Sequence, residues 1–127
     1  MKKILATTNA PAAIGPYSQA VKAGDFVYVS GQLPIDPATG AFAGDEIKAQ
    51  TEQSLKNIQA ILASEGLGMD SIVKVTVLMD NIADFGAMNE VYATFFTSDC
   101  PARAAFEVAK LPKDALVEIE AVAYCGK

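Results

Sequence analysis

The segment Ser71 to Met79 does most to decide how this chain can fold. It gathers Ile72, Val73, Val75, Thr76 and Val77 into a run of strand length whose β-branched side chains leave it apolar on nearly both faces. Such a strand belongs in the middle of a sheet, covered by other elements. Two covering elements flank it. From Asp45 to about Glu65, Ile47, Leu55, Ile58, Ile61 and Leu62 recur at three- and four-residue steps before Gly66, which predicts an amphipathic helix with a glycine stop. After the strand, Asn81 with Asp84 three residues on comes close to a capping box. Phe85, Met88, Val91, Tyr92, Phe95 and Phe96 then form the apolar stripe of a second helix.

The remaining strands follow from shorter patterns. Ser18 to Ala23 and Asp25 to Ser30 read as a hairpin around Gly24. Gly31 to Gly44, with Pro34, Pro37 and Gly40, reads as a loop with room for a short strand pair. Arg103 to Ala109, a buried strand, and Leu116 to Tyr124 close the chain on either side of Leu111-Pro112-Lys113-Asp114. The order β-β-β-α-β-α-β-β predicts an α+β sandwich: one mostly antiparallel sheet with two helices on one face, and residues 1–127 as a single domain. A chain of this length buries roughly two thirds of its unfolded surface without disulfides or metals.

Two helices cover one face, so the other must meet solvent or a partner. Alternation in the last strand puts Val117, Ile119, Ala121 and Ala123 on one side and Leu116, Glu118, Glu120, Val122 and Tyr124 on the other. The second set, apolar residues interrupted by two carboxylates, suits a subunit interface containing a site, and predicts a homo-oligomer. A monomer with a half-polar sheet face is the alternative.

Composition narrows the chemistry. The chain has no histidine, which removes Ser-His-Asp triads, Cys-His pairs and His-ligated zinc, and leaves carboxylates, hydroxyls, thiols, Arg, Lys and water. Ten Lys and Arg against fifteen Asp and Glu give a net charge of −5, the wrong sign for nucleic-acid binding. Met1 to Asn9 is neither a signal peptide nor a membrane span, so the expectation is a cytoplasmic protein with no membrane partner. Cys100 and Cys125 lack CxxC spacing and are expected as free thiols. No pattern calls for a metal or another cofactor.

Few residues then remain to carry chemistry. Arg103, the only charge between Asp99 and Glu107, cannot shed its proton and must find an anion. That anion is either a structural partner (Glu107, Glu118 or Glu120) or a ligand carboxylate held by the planar fork. Glu118 and Glu120 share a face. Such a pair commonly meets solvent or a basic residue, but a glutamate in a partly dry interface can have its pKa raised and act as a general base. Gly15-Pro16-Tyr17-Ser18 and Ser30-Gly31-Gln32 lie at strand ends and, taken alone, read as turn chemistry. Asn89 lies on the second helix, where it can cap or bridge backbone groups.

Taken together, Ala12-Ala13-Ile14-Gly15-Pro16-Tyr17-Ser18-Gln19-Ala20, Val29-Ser30-Gly31-Gln32-Leu33-Pro34, Pro101-Ala102-Arg103, Glu107-Val108-Ala109-Lys110-Leu111-Pro112-Lys113-Asp114 and Val117-Glu118-Ile119-Glu120-Ala121 resemble the Rid (YjgF-type) reactive-intermediate deaminases, nearly end to end. The resemblance implies a chorismate-mutase-like fold that forms a homotrimer with clefts between subunits. It also implies hydrolysis of enamines and 2-imino acids (2-aminoacrylate, 2-aminocrotonate) that pyridoxal-phosphate-dependent dehydratases release. By the same resemblance Arg103 holds the substrate carboxylate, Glu118 activates water and Tyr17 joins them as a catalytic residue that steadies the developing amine, while Ser30, Gly31, Asn89 and Ala105 are expected to bind the substrate. Ala105 takes the cleft position where archetypal members carry a cysteine, so no property of that thiol transfers. A trimeric regulator that binds small carboxylates or keto acids without chemistry is the alternative. A ribonuclease or translation-inhibitor role is also attached to this family, and the negative charge and missing histidine weigh against it here.

Overall fold

The computed structural model describes residues 1–126. Its principal elements are β1 (Lys3–Leu5), β2 (Ala20–Ala23), β3 (Phe26–Gln32), α1 (Ile47–Ala63), β4 (Ile72–Met79), α2 (Phe85–Phe95), β5 (Ala102–Glu107) and β6 (Val117–Tyr124). The six strands form one sheet in the order β1-β2-β3-β6-β4-β5, antiparallel everywhere except between β4 and β5. The β-branched run is an interior strand, as its composition requires. Among the described residues no helix is long and apolar enough to cross a membrane.

The helices begin and end for local reasons. Glu46 caps α1 by accepting from the backbone N–H groups of Lys48 and Ala49. At the other end the Leu67 N–H reaches the Leu62 carbonyl and the Gly66 N–H the Ala63 carbonyl, a Schellman closure that needs the left-handed φ of +75° at Gly66. Asn81 caps a short 3₁₀ turn, Ile82–Asp84, which feeds directly into α2, and Asp84 itself makes no side-chain capping bond. Leu55, Ile58, Ile61 and Leu62 of α1 are fully buried with Val75 and Val77 of β4 and Val117 and Ile119 of β6. Each such side chain contributes about 1.5–3 kcal/mol of transfer free energy. The stripe on the second helix is narrower than its sequence suggests: Met88, Tyr92 and, just past the helix, Phe96 are buried, while Phe85, Val91 and Phe95 are half-buried.

Three sequence expectations are corrected. The first strand comes from Lys3–Leu5, too short to display a period, and the loop after Gly31 contributes only the isolated bridge between Ile35 and Phe42. The strand around Arg103 is not buried; β5 is the sheet edge, exposed or half-exposed throughout. Nor is β6 its neighbour. The crossover through α2 returns β5 parallel to β4 on the outer side, and β6 fills the inner side between β4 and β3.

The alternation in β6 is as expected, with Val117, Ile119, Ala121 and Ala123 buried and the intervening residues half-buried or exposed. Register therefore identifies the open face. Phe26 and Tyr28 oppose Tyr124 and Val122, and Phe106 and Glu118 flank Leu78. Phe26, Tyr28, Phe106 and Tyr124 are exposed there as large apolar side chains.

Candidate active site

On the open face, the site is built around a break in the β3–β6 ladder. Val29 opposes Ala121 and Gln32 opposes Ile119, so β3 carries one residue more than β6 and Ser30 and Gly31 are left without register partners on β6. Such a bulge bends the strand and re-aims side chains. Glu118 lies over it. A β-carbon on Gly31 would come within 2.6 Å of Glu118 Oε2 and 3.0 Å of its Cδ, so the glycine makes room for the carboxylate. Burial, and secondarily the neighbouring Glu120, holds the Glu118 pKa above its ordinary value of 4.5. Among the described residues no cation lies within salt-bridge distance of it.

Tyr17, Ser30, Gly31 and Glu118 line one cavity of about 580 Å³, closed by Leu33, Ile35 and the Pro112-Lys113 turn. Ser30 Oγ donates to the Ser18 carbonyl at 2.6 Å, which ties the Tyr17–Ser18 segment to β3 and leaves the oxygen free only to accept. Gln19, which carried no functional signal in the sequence, is buried and grips the same loop. Its Oε1 accepts from the Thr7 N–H at 2.7 Å, and its Nε2 donates to the carbonyls of Thr7, Ala10 and Pro11.

Arg103 lies elsewhere. It opposes Val75, a residue buried under the helices, so its side chain is on the helix face of the sheet, opposite to Glu118. There its Nη1 donates to Asn89 Oδ1 at 2.7 Å, and its guanidinium carbon stands 4.6 Å from the ring centre of Tyr92 and 5.4 Å from that of Phe85. The pocket beside it, about 380 Å³, is lined by Asn89, Tyr92, Cys100 and Arg103. The structural partners considered for Arg103 are absent: Glu107 Oε1 instead accepts from the Ile82 N–H at 2.9 Å. Ala105, on the same face, packs half-buried against the core beside Val77 and is not among the residues lining either cavity.

One chain thus brings Tyr17, Ser30, Gly31 and Glu118 together, brings Asn89 and Arg103 together, and keeps the two groups apart. Among the described residues no cluster of His, Cys, Asp and Glu could hold a metal ion. Residues 7–125 match the family described as Endoribonuclease L-PSP. A Rid-family protein from Yersinia pestis has the same fold, with a TM-score of 0.95 at 47% identity over 98% of this chain and 99% of that one. This chain belongs to the Rid family. A relative from Salmonella typhimurium named 2-iminobutanoate/2-iminopropanoate deaminase is 52% identical over 126 residues, 97% of this chain and 98% of the relative. The structure of Escherichia coli TdcF with bound serine superposes with a TM-score of 0.93 at 42% identity, covering 98% and 99% of the two chains.

In this Rid protein the residues that sequence reasoning missed are those whose part depends on a neighbour. Tyr92 and Phe85 were legible only as an apolar helix stripe, and nothing in that spacing says that an arginine from another element will stack on them. Their one available signal is that Phe85, Asn89 and Tyr92 recur at four- and three-residue steps and so share a helix face.

Proposed function

We propose that this protein hydrolyses small 2-imino acids to 2-oxo acids and ammonia, in a site completed between neighbouring copies of a homotrimer. The observation that carries this is Glu118, a half-buried carboxylate with a raised pKa, seated on Gly31 in the cavity and, among the described residues, with no cation within salt-bridge distance. That is the environment of a general base. Arg103 supplies the anion site, held on the opposite sheet face, where only a second copy can present it to the Glu118 cavity. The exposed aromatic residues of the open face are the surface such a copy would cover. The substrate class comes from the relatives named 2-iminobutanoate/2-iminopropanoate deaminase, and the serine bound to TdcF carries a carboxylate of the kind Arg103 would hold.

The chemistry asks little of the protein. The imine carbon is already electrophilic, so no metal or cofactor is needed to activate it. Arg103 fixes the carboxylate through charge-assisted hydrogen bonds worth roughly 1.5–3 kcal/mol. Glu118 orients a water and accepts its proton as the oxygen bonds to the imine carbon and the C=N π electrons pass to nitrogen. Glu118 returns that proton to the nitrogen, giving the neutral carbinolamine, then takes the hydroxyl proton and passes it to the amine, so that the C–N bond breaks, ammonia leaves and the oxygen electrons form the carbonyl. Tyr17 and the acceptor lone pairs of Ser30 line the side on which the amine develops. An Arg103→Ala chain is expected to lose turnover of 2-iminobutanoate supplied by a threonine dehydratase, and Glu118→Gln to fall by about 10²-fold, the range for losing a general base. Full activity in Glu118→Gln would refute this mechanism. Binding of 2-oxo acids with no acceleration over spontaneous hydrolysis would instead make the protein a carboxylate-binding regulator.

A further inference from the structure

Every group that holds Arg103 is uncharged. Asn89 Oδ1 takes one of its five N–H donors, and the rings of Tyr92 and Phe85 lie against the guanidinium. Among the described residues no Asp or Glu comes within 4.0 Å of it, and Glu107, which shares its face of β5, is engaged with the Ile82 N–H. Tyr92 contributes its ring alone, because its hydroxyl is buried without a hydrogen-bond partner. The side chain is therefore fixed in place while its charge is left unspent. A carboxylate could accept the same hydrogen bond, but the residue at that distance is its amide isostere.

We propose that Asn89, Phe85 and Tyr92 are positioning residues forming a neutral cradle, and that the neutrality of Asn89 sets how tightly Arg103 binds a ligand carboxylate. This rests on Arg103 being the anion site of the proposed function. A carboxylate at position 89 would make a charge-assisted pair with the same nitrogen and compete with the ligand. Loss of the Asn89 side chain would only loosen the guanidinium.

The test compares Asn89→Asp, Asn89→Ala, Tyr92→Leu and Tyr92→Phe with the wild type, by calorimetric titration with 2-oxobutanoate and by the KM for 2-iminobutanoate. Asn89→Asp is expected to weaken binding and raise KM by about tenfold or more, and Asn89→Ala by less. A structural role would give the reverse order, since aspartate keeps the size and the acceptor oxygen and alanine keeps neither. Tyr92→Leu is expected to weaken binding and Tyr92→Phe, which retains the ring, to restore it, so the cradle is still tested if an Asn89 variant does not fold. A loss in Asn89→Ala equal to or greater than that in Asn89→Asp, or binding in Tyr92→Leu as tight as in wild type, overturns the cradle. If the binding order holds while the wild type accelerates no imine hydrolysis, the deaminase reading fails and the cradle stands. The opposite pair of results removes the cradle and keeps the deaminase.

Discussion

Under the proposed function, Arg103→Ala and Glu118→Gln chains, each expected to be nearly inactive alone, should regain activity when assembled together. Arg103 is level with Val75 and Ala121, and Glu118 is level with Leu78, two strands across and three residues along the sheet. Spacings of about 4.8 Å per strand and 3.3 Å per residue put the two Cα atoms on the order of 14 Å apart, and their side chains leave opposite faces. A 2-imino acid joins its carboxylate and imine carbon by a single bond, so one chain cannot offer both residues to one substrate. In a cyclic trimer with shared sites, a site is intact when its arginine comes from a Glu118→Gln chain and its glutamate from an adjacent Arg103→Ala chain. Random one-to-one mixing makes about one quarter of the sites intact. The assay is co-expression of differently tagged variants, isolation of the mixed oligomer, and 2-oxobutanoate release above the spontaneous rate. Recovery to about one quarter of wild-type activity, from parents near one hundredth or below, is the expected result. Mixed oligomers no more active than the average of their parents would refute the shared site.

Other consequences follow from the same geometry. Gly31→Ala should fold with little change in melting temperature, because the atoms its β-carbon meets are the far end of the Glu118 side chain, yet lose about 10²-fold in turnover as the carboxylate is displaced. The raised Glu118 pKa means that the folded state holds this proton more tightly than the unfolded chain. Its contribution to stability is therefore present below 4.5 and lost as pH rises through the raised value. Thermal melts across that window should show wild-type stability declining relative to Glu118→Gln, whereas kcat/KM should rise over the same window as the base ionises. A decline equal in both chains would count against the assignment. Gln19→Leu leaves the half-buried backbone groups of Thr7 and Pro11 and the buried carbonyl of Ala10 without their side-chain partner and is expected to destabilise by about 1–3 kcal/mol in a denaturant titration, with turnover falling as the Tyr17 loop loosens.

What the sequence determined by itself is whatever depends on neighbours in the chain. The three- and four-residue recurrence of Leu55, Ile58, Ile61 and Leu62, the alternation from Val117 to Tyr124 and the β-branched run before Met79 each report a local period, and each became the element it describes. The motifs around Gly31, Arg103 and Glu118 were visible for the same reason. Tertiary structure alone decided which of them meet. The β3 bulge that seats Glu118 on Gly31 is a mismatch between two strands, and neither strand carries it in its own pattern. Arg103 looked like a charge trapped in a buried strand beside the glutamates, but strand order is a property of the whole sheet. The α2 crossover sends β5 to the edge, β4 separates it from β6, and register turns Arg103 toward Tyr92 and Asn89 on the face that Glu118 does not share.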